Sequence, residues 1–148
     1  MWQVDGIGRL RLSGVHDSNL SFFSYDIDAH RLLLRFRNGN LLSRFQADGV
    51  RRLNIEALWE GTIIDTIWLW RHAPDGPAPG DQPDLGWQHL FQGQIGKSEF
   101  GSERKRLEAI SPAGVLSTIA CSYGGQISFF ADHVKIEQTL MGEAQQSG

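Results

Sequence analysis

The dipeptide Asn38-Gly39 stands between two apolar runs within Leu20 to Gln46, and it is the strongest short-range folding signal in the chain. Asn and Gly tolerate the left-handed backbone that a two-residue hairpin needs, so the flanking runs are expected to pair as antiparallel strands. With Asn38 and Gly39 as the central turn residues, Phe36 faces Leu41, Arg35 faces Leu42, Leu34 faces Ser43 and Leu32 faces Phe45. One face then collects Leu32, Leu34, Phe36, Leu41 and Phe45, and the other carries Arg31, Arg35, Arg37 and Arg44. Moving the turn to Gly39-Asn40 sets Arg35 opposite Arg44, a like-charge pair that a sheet disfavours, so the first register is the expected one.

Strand signals continue on both sides. Leu20 to Ile27 precedes a turn at Asp28-Ala29-His30, which predicts a three-stranded meander. Val50 to Ile55 follows Asp48-Gly49, and Thr62 to Arg71 follows Glu60-Gly61. Within Ile63 to Trp70 both side-chain parities are apolar apart from Asp65 and Thr66, the pattern of a strand covered on both faces. Gly124-Gly125 separates Leu116–Tyr123 from Gln126–Ala131 and predicts a second tight hairpin, with Ile119 opposite Phe130 and Cys121 opposite Ser128. Val134 to Gln138 adds a strand after a turn at Asp132-His133, and the alternation in Arg104 to Ile110 favours a strand ahead of Pro112. No long amphipathic helix and no fixed-period repeat is present. The expected fold is therefore mostly β: about eight to ten antiparallel strands in a barrel-like or sandwich arrangement, with at most one or two short helices.

A chain of 148 residues, 41% hydrophobic and 21% charged, matches a single domain. Residues 1–138 are expected to form it, and 139–148 a flexible tail. Four of the five prolines fall in 73–86, which reads as a long surface loop with a short helix over Leu85 to Phe91 at its end. A net charge of −3 offers no positive field for nucleic acid. The apolar runs fall far short of the roughly 20 residues of a membrane span. The lone Cys121 and an opening without a basic start and apolar run favour a cytoplasmic protein.

The cues His16-Asp17-Ser18-Asn19-Leu20, Leu34-Arg35-Phe36, Gly49-Val50-Arg51-Arg52-Leu53, Trp59-Glu60-Gly61-Thr62-Ile63-Ile64 and Ser122-Tyr123-Gly124-Gly125 resemble those of small bacterial β-rich proteins of uncharacterised function. Some of these sit beside toxin systems. The resemblance implies a fold and a bacterial source, and it brings toxin immunity in as one possible role; it carries over no catalytic residue.

Candidate chemistry is sparse. Asp26, Asp28 and His30 alternate and on a strand would offer two carboxylates and an imidazole to a metal, although turn chemistry alone explains them. His16-Asp17 is a potential base and its orienting acid, and as such the basis of a small-hydrolase reading, yet Asp17-Ser18-Asn19 is also a turn or cap cluster. Cys121 lies in mid-strand, as a small buried side chain does. Gly6-x-Gly8 lacks the third glycine and the helix of a nucleotide loop, and no cofactor motif is complete. Two surfaces remain. Trp68 and Trp70 share a strand face and are followed by Arg71 and His72, a set suited either to a core or to a ligand or partner. Arg35, Arg37 and Arg44 form a face able to bind an acidic partner or simply to be solvated. The leading expectation is a noncatalytic binding or protein-interaction domain. A two-fold homodimer is also expected, through a β-edge, the Trp68/Trp70 face or the C-terminal hairpin.

Overall fold

The computed structural model describes residues 2–6, 8–58, 62–71 and 82–141. Along the chain run β1 (Asn19–Asp26), β2 (Arg31–Asn38), β3 (Leu41–Glu56), β4 (Ile64–Arg71), α1 (Gln82–Phe91), α2 (Phe100–Ile110), β5 (Val115–Cys121) and β6 (Gln126–Leu140). The strands form one antiparallel sheet in the order β1-β2-β3-β6-β5-β4. The mostly β class with two helices is as expected, but the sheet is single and open, neither a closed barrel nor two stacked sheets. Its two edges approach at one end, where Asn19 bridges Ile63 and backbone hydrogen bonds run from Leu20 N–H to the Thr62 carbonyl and from Ile64 N–H to that of Ser18. Residues 8–10 run along the rest of the outer edge of β4, with Leu10 N–H donating to the Ile67 carbonyl and Leu69 N–H to that of Gly8, both at 2.8 Å.

Six strands replace the expected eight to ten because two predicted turns are not turns and one predicted strand is a helix. Asp48-Gly49 lies inside the 16-residue β3, where the ladder to β6 slips between Val50 and Arg52. Gly49 takes φ +64°, and a Cβ there would sit 2.2 Å from the Asp132 carboxylate. That carboxylate accepts two hydrogen bonds from Arg51, Nε–Oδ1 at 3.0 Å and Nη2–Oδ2 at 2.7 Å. Asp132-His133 is likewise interior to the continuous β6. The bulge turns the sheet without breaking it, so Leu34, Phe36 and Phe45 from one half share a core with Ile67, Ile119 and Phe129 from the other. Arg104 to Ile110 belongs to α2, whose only fully buried side chain is Leu107. Without a continuous apolar stripe, this helix relies on ion pairs at helical spacing, Arg106–Glu103 at 2.5 Å and Arg104–Glu108 at 2.9 Å.

Both hairpin registers differ from expectation, in instructive ways. The first turn is Gly39-Asn40: Arg35 does face Arg44 and Leu34 faces Phe45. Gly39, at φ +58°, fills the first turn position, and the side chain of Asn38 instead donates to the Gly14 carbonyl at 3.1 Å. The arginine pair is tolerated because each guanidinium has its own partner. Arg35 lies over the Phe22 ring, 4.5 Å from its centre, while Arg44 faces Glu137 across the ladder and donates to Thr139. A slip of two residues preserves parity, so Leu32, Leu34, Phe36 and Phe45 are buried and Arg35, Arg37 and Arg44 exposed as predicted. In the second hairpin Ile119 faces Ile127 and Thr118 faces Ser128, with a 3-10 turn at Ser122–Gly124 in place of the two-glycine turn. This slip is odd, and it escaped the sequence pattern because β5 and the first half of β6 are buried on both faces.

Of the predicted loop, 82–86 is the start of α1 and 73–81 lies outside the described residues. Pro83 and Asp84 suit a first helical turn, and Arg104 bonds Asp84 at 2.7 Å. Strand β6 reaches Leu140, so residues 139 and 140, expected in the tail, belong to the sheet; 142–148 lie outside the described residues. No helix among the described residues is long and apolar enough to cross a membrane.

The Asp132 carboxyl illustrates how the bulge depends on charge. Burial alone would raise its pKa, but hydrogen bonds from Arg51 and Ser111, with the charges of Arg51 and His133, hold it below the ordinary value. A depressed folded-state pKa contributes stability above the unfolded value of 3.8 and loses it as pH falls through the folded value. The stability gap between the native chain and Asp132→Asn should therefore shrink between pH 6 and pH 3, as read from urea midpoints.

Candidate functional site

The second face of β4, β5 and β6 lies under the helices. Trp70, Leu116 and Phe130 pack there against Trp87, Leu90 and Phe91 of α1 and Leu107 of α2. The end of α1 is fixed to β3 by Asn54, whose Nδ2 donates to the carbonyls of His89 and Gln92 at 3.0 and 3.1 Å. Beside this contact the layers part around a pocket of about 250 Å³. Trp68 and Trp70 line it from β4, Thr118 and Ala120 from β5, Gln126 from β6, and Leu85 and His89 from α1; Cys121, Gly124 and Gly125 line it at the β5–β6 connection.

The register explains why polar groups collect there. Trp68 faces Thr118, Thr118 faces Ser128 and Ser128 faces Asn54, so one row crosses four strands on the helix-covered face. Buried hydroxyls elsewhere are satisfied: Ser117 donates to the Trp68 carbonyl at 2.9 Å, Ser18 to that of Val15 at 2.5 Å, and Ser43 accepts from Gln138. Thr118 Oγ1, Ser128 Oγ and Gln126 Nε2 are buried and find no hydrogen-bond partner among the described residues. Thr118 is 4% exposed and Ser128 fully buried. An unsatisfied buried polar group costs about 1–3 kcal/mol, so three together beside a pocket call for a partner that the described residues do not supply.

The tryptophan expectation is resolved into two parts. Trp70 is buried and Trp68 half-buried, their rings stacked at 5.8 Å and 13°. The pair is thus both core and pocket wall, and it does not form the open surface on which a dimer interface was expected. Arg71 is on the opposite face of β4, 4.8 Å from the centre of the Trp2 ring, and is not part of the pocket; His72 lies outside the described residues. Arg35, Arg37 and Arg44 lie on a different, exposed face, engaged with Phe22, Met141 and Thr139.

His16 and Asp17 do meet, because Asp17 at φ +67° folds back in a turn: His16 Nε2 lies 3.5 Å from Asp17 Oδ1. Nδ1 is 2.7 Å from the Asp65 carbonyl oxygen. That bond, the Asp17 charge and the Asp65 charge raise the imidazole pKa above its usual 6.5. The ring is exposed, and both its nitrogens face acceptors. Asp26 Oδ1 accepts from the N–H groups of Asp28 and Ala29, which is turn chemistry, and among the described residues no group of three His, Cys, Asp or Glu side chains is placed to hold a metal. Burial, with the Asp65 charge, pushes the Cys121 thiol up to about 11, so at neutral pH it is protonated and poorly nucleophilic.

Thr118, Gln126 and Ser128 were not singled out by sequence. The available signal was a pair of hydroxyl residues, Ser117-Thr118, inside an apolar strand, and the expected hairpin register set Cys121, not Thr118, across from Ser128. Compared with known protein families, with curated proteins and with solved structures, the chain matches none.

Proposed function

We propose that this chain is a noncatalytic binding protein and that its ligand is a small molecule held between Trp68 and the Thr118–Gln126 floor, beneath α1. The observation that carries the reading is the clustering of buried polar groups that have no partner among the described residues, Thr118 and Gln126 in the pocket lining and Ser128 across from Thr118 on the next strand, where the sheet and α1 part over an aromatic wall. Ligand sites combine this kind of apolar concavity with a few convergent polar groups. The protein-interaction reading has less support, since the Trp68/Trp70 pair is largely covered. The hydrolase reading on His16 and Asp17 has less still, since both ring nitrogens are directed at oxygen acceptors in an exposed turn.

A fragment screen read by the indole N–H signals of Trp68 and Trp70 tests this. Fragments that bind should shift the Trp68 signal, and Ala120→Phe, which fills the pocket from β5, should abolish those shifts. Absence of any such fragment, or shifts that survive Ala120→Phe, would overturn the reading.

A further inference from the structure

We infer that the ligand is an uncharged, planar bicyclic heterocycle presenting a carbonyl or ring-nitrogen acceptor, laid against the indole of Trp68; this rests on the ligand-binding reading above. Size sets the first limit. A dry cavity of about 150 Å³ accepts a single benzene ring, and drug-sized ligands need roughly 300–1,000 Å³. The pocket, at about 250 Å³, lies between them and fits two fused rings.

Shape follows from the wall. The two indoles are nearly parallel, and Trp70 is buried, so the half-buried Trp68 is the member with ring surface left to offer. A flat π-system gains most from such a surface by offset stacking, which a branched aliphatic group cannot match. The lining among the described residues contains no Asp, Glu, Lys or Arg, and His89 is its one imidazole. An ion taken into this site would lose hydration with at most that one side chain to offset the loss, which favours a neutral ligand.

The polar floor then sets the pattern at the edge of the ring. Gln126 Nε2 can only donate, whereas the Thr118 hydroxyl can donate or accept. Together they match an acceptor with an N–H beside it, the edge that a lactam presents.

Three probes separate these requirements: quinolin-2-one, a bicyclic lactam; indole, a bicycle without an acceptor; and quinoline-2-carboxylate, an anion. Titrated into the intact chain and followed at the Trp68 indole N–H, quinolin-2-one should bind about tenfold more tightly than either of the others. Thr118→Val and Gln126→Leu should each bring the preference for quinolin-2-one over indole down to within about twofold. If indole or the carboxylate binds as tightly as the lactam, or the preference survives both substitutions, the ligand class is wrong and the binding reading stands. If none of the three binds, the ligand class fails too, and the Ala120→Phe fragment comparison then decides separately whether the pocket binds small molecules at all.

Discussion

Trp70→Ala is expected to destabilise the fold by about 3–5 kcal/mol, the range for truncating a fully packed large aromatic residue. The indole is 5% exposed and held tightly by backbone on both sides. A Cβ on Gly8 would lie 2.3 Å from its Nε1, and one on Gly86 2.5 Å from its Cζ3. Gly86 lies inside α1, where glycine costs about 1 kcal/mol relative to alanine; the helix accepts that cost in order to approach the ring. Removing the indole therefore leaves a void that neither neighbour can fill, and it releases α1 from the sheet. Urea unfolding should show the loss, and ligand binding at the adjoining pocket should disappear with it. Trp68→Ala should cost clearly less, because that ring is only half-buried. Equal losses for the two substitutions would contradict this division between core and pocket wall.

The second large effect is expected at the bulge. Gly49→Ala imposes left-handed backbone on an alanine, about 1–2 kcal/mol, and drives a methyl group into the Asp132 carboxylate, about 1–3 kcal/mol more. The sum, about 2–5 kcal/mol, includes loosening of the Arg51–Asp132 pair that locks β3 to β6. With Asp132→Ala already present, the same substitution should cost clearly less, because the carboxylate is gone and only the Cβ of residue 132, at 2.9 Å, still crowds the added methyl. An undiminished cost in that background would show that the strain lies elsewhere.

What could be read from the sequence follows from how periodicity works. The faces of the Asn38-Gly39 hairpin were legible because parity is insensitive to a two-residue slip, and for the same reason the register was not. The C-terminal hairpin offered no parity to read, since both of its faces are covered. Asp48-Gly49 and Asp132-His133 have the composition of turns, yet a bulge in one strand opposite a paired carboxylate uses the same residues. In α2 the helix is supported by Glu103, Arg104, Arg106 and Glu108, whose spacing in so short a segment is compatible with either period. Trp68 and Trp70 were legible as a pair on one face. Their polar counterparts became visible only once the register had placed Thr118 beside Ser128 and Trp68 on one row.

The stability of the ligand-free Thr118→Val/Ser128→Ala double variant tests the central claim most directly. Both hydroxyls are buried without a partner among the described residues, and the substitutions remove them with little change in volume. If they are there to meet polar groups of a bound ligand, the empty protein bears their desolvation cost, and the double variant should be more stable than the native chain by about 1–3 kcal/mol while losing the preference for quinolin-2-one over indole that Thr118 supports. A double variant less stable than the native chain would show that the hydroxyls serve the fold, and would contradict the assignment of this pocket as the functional site.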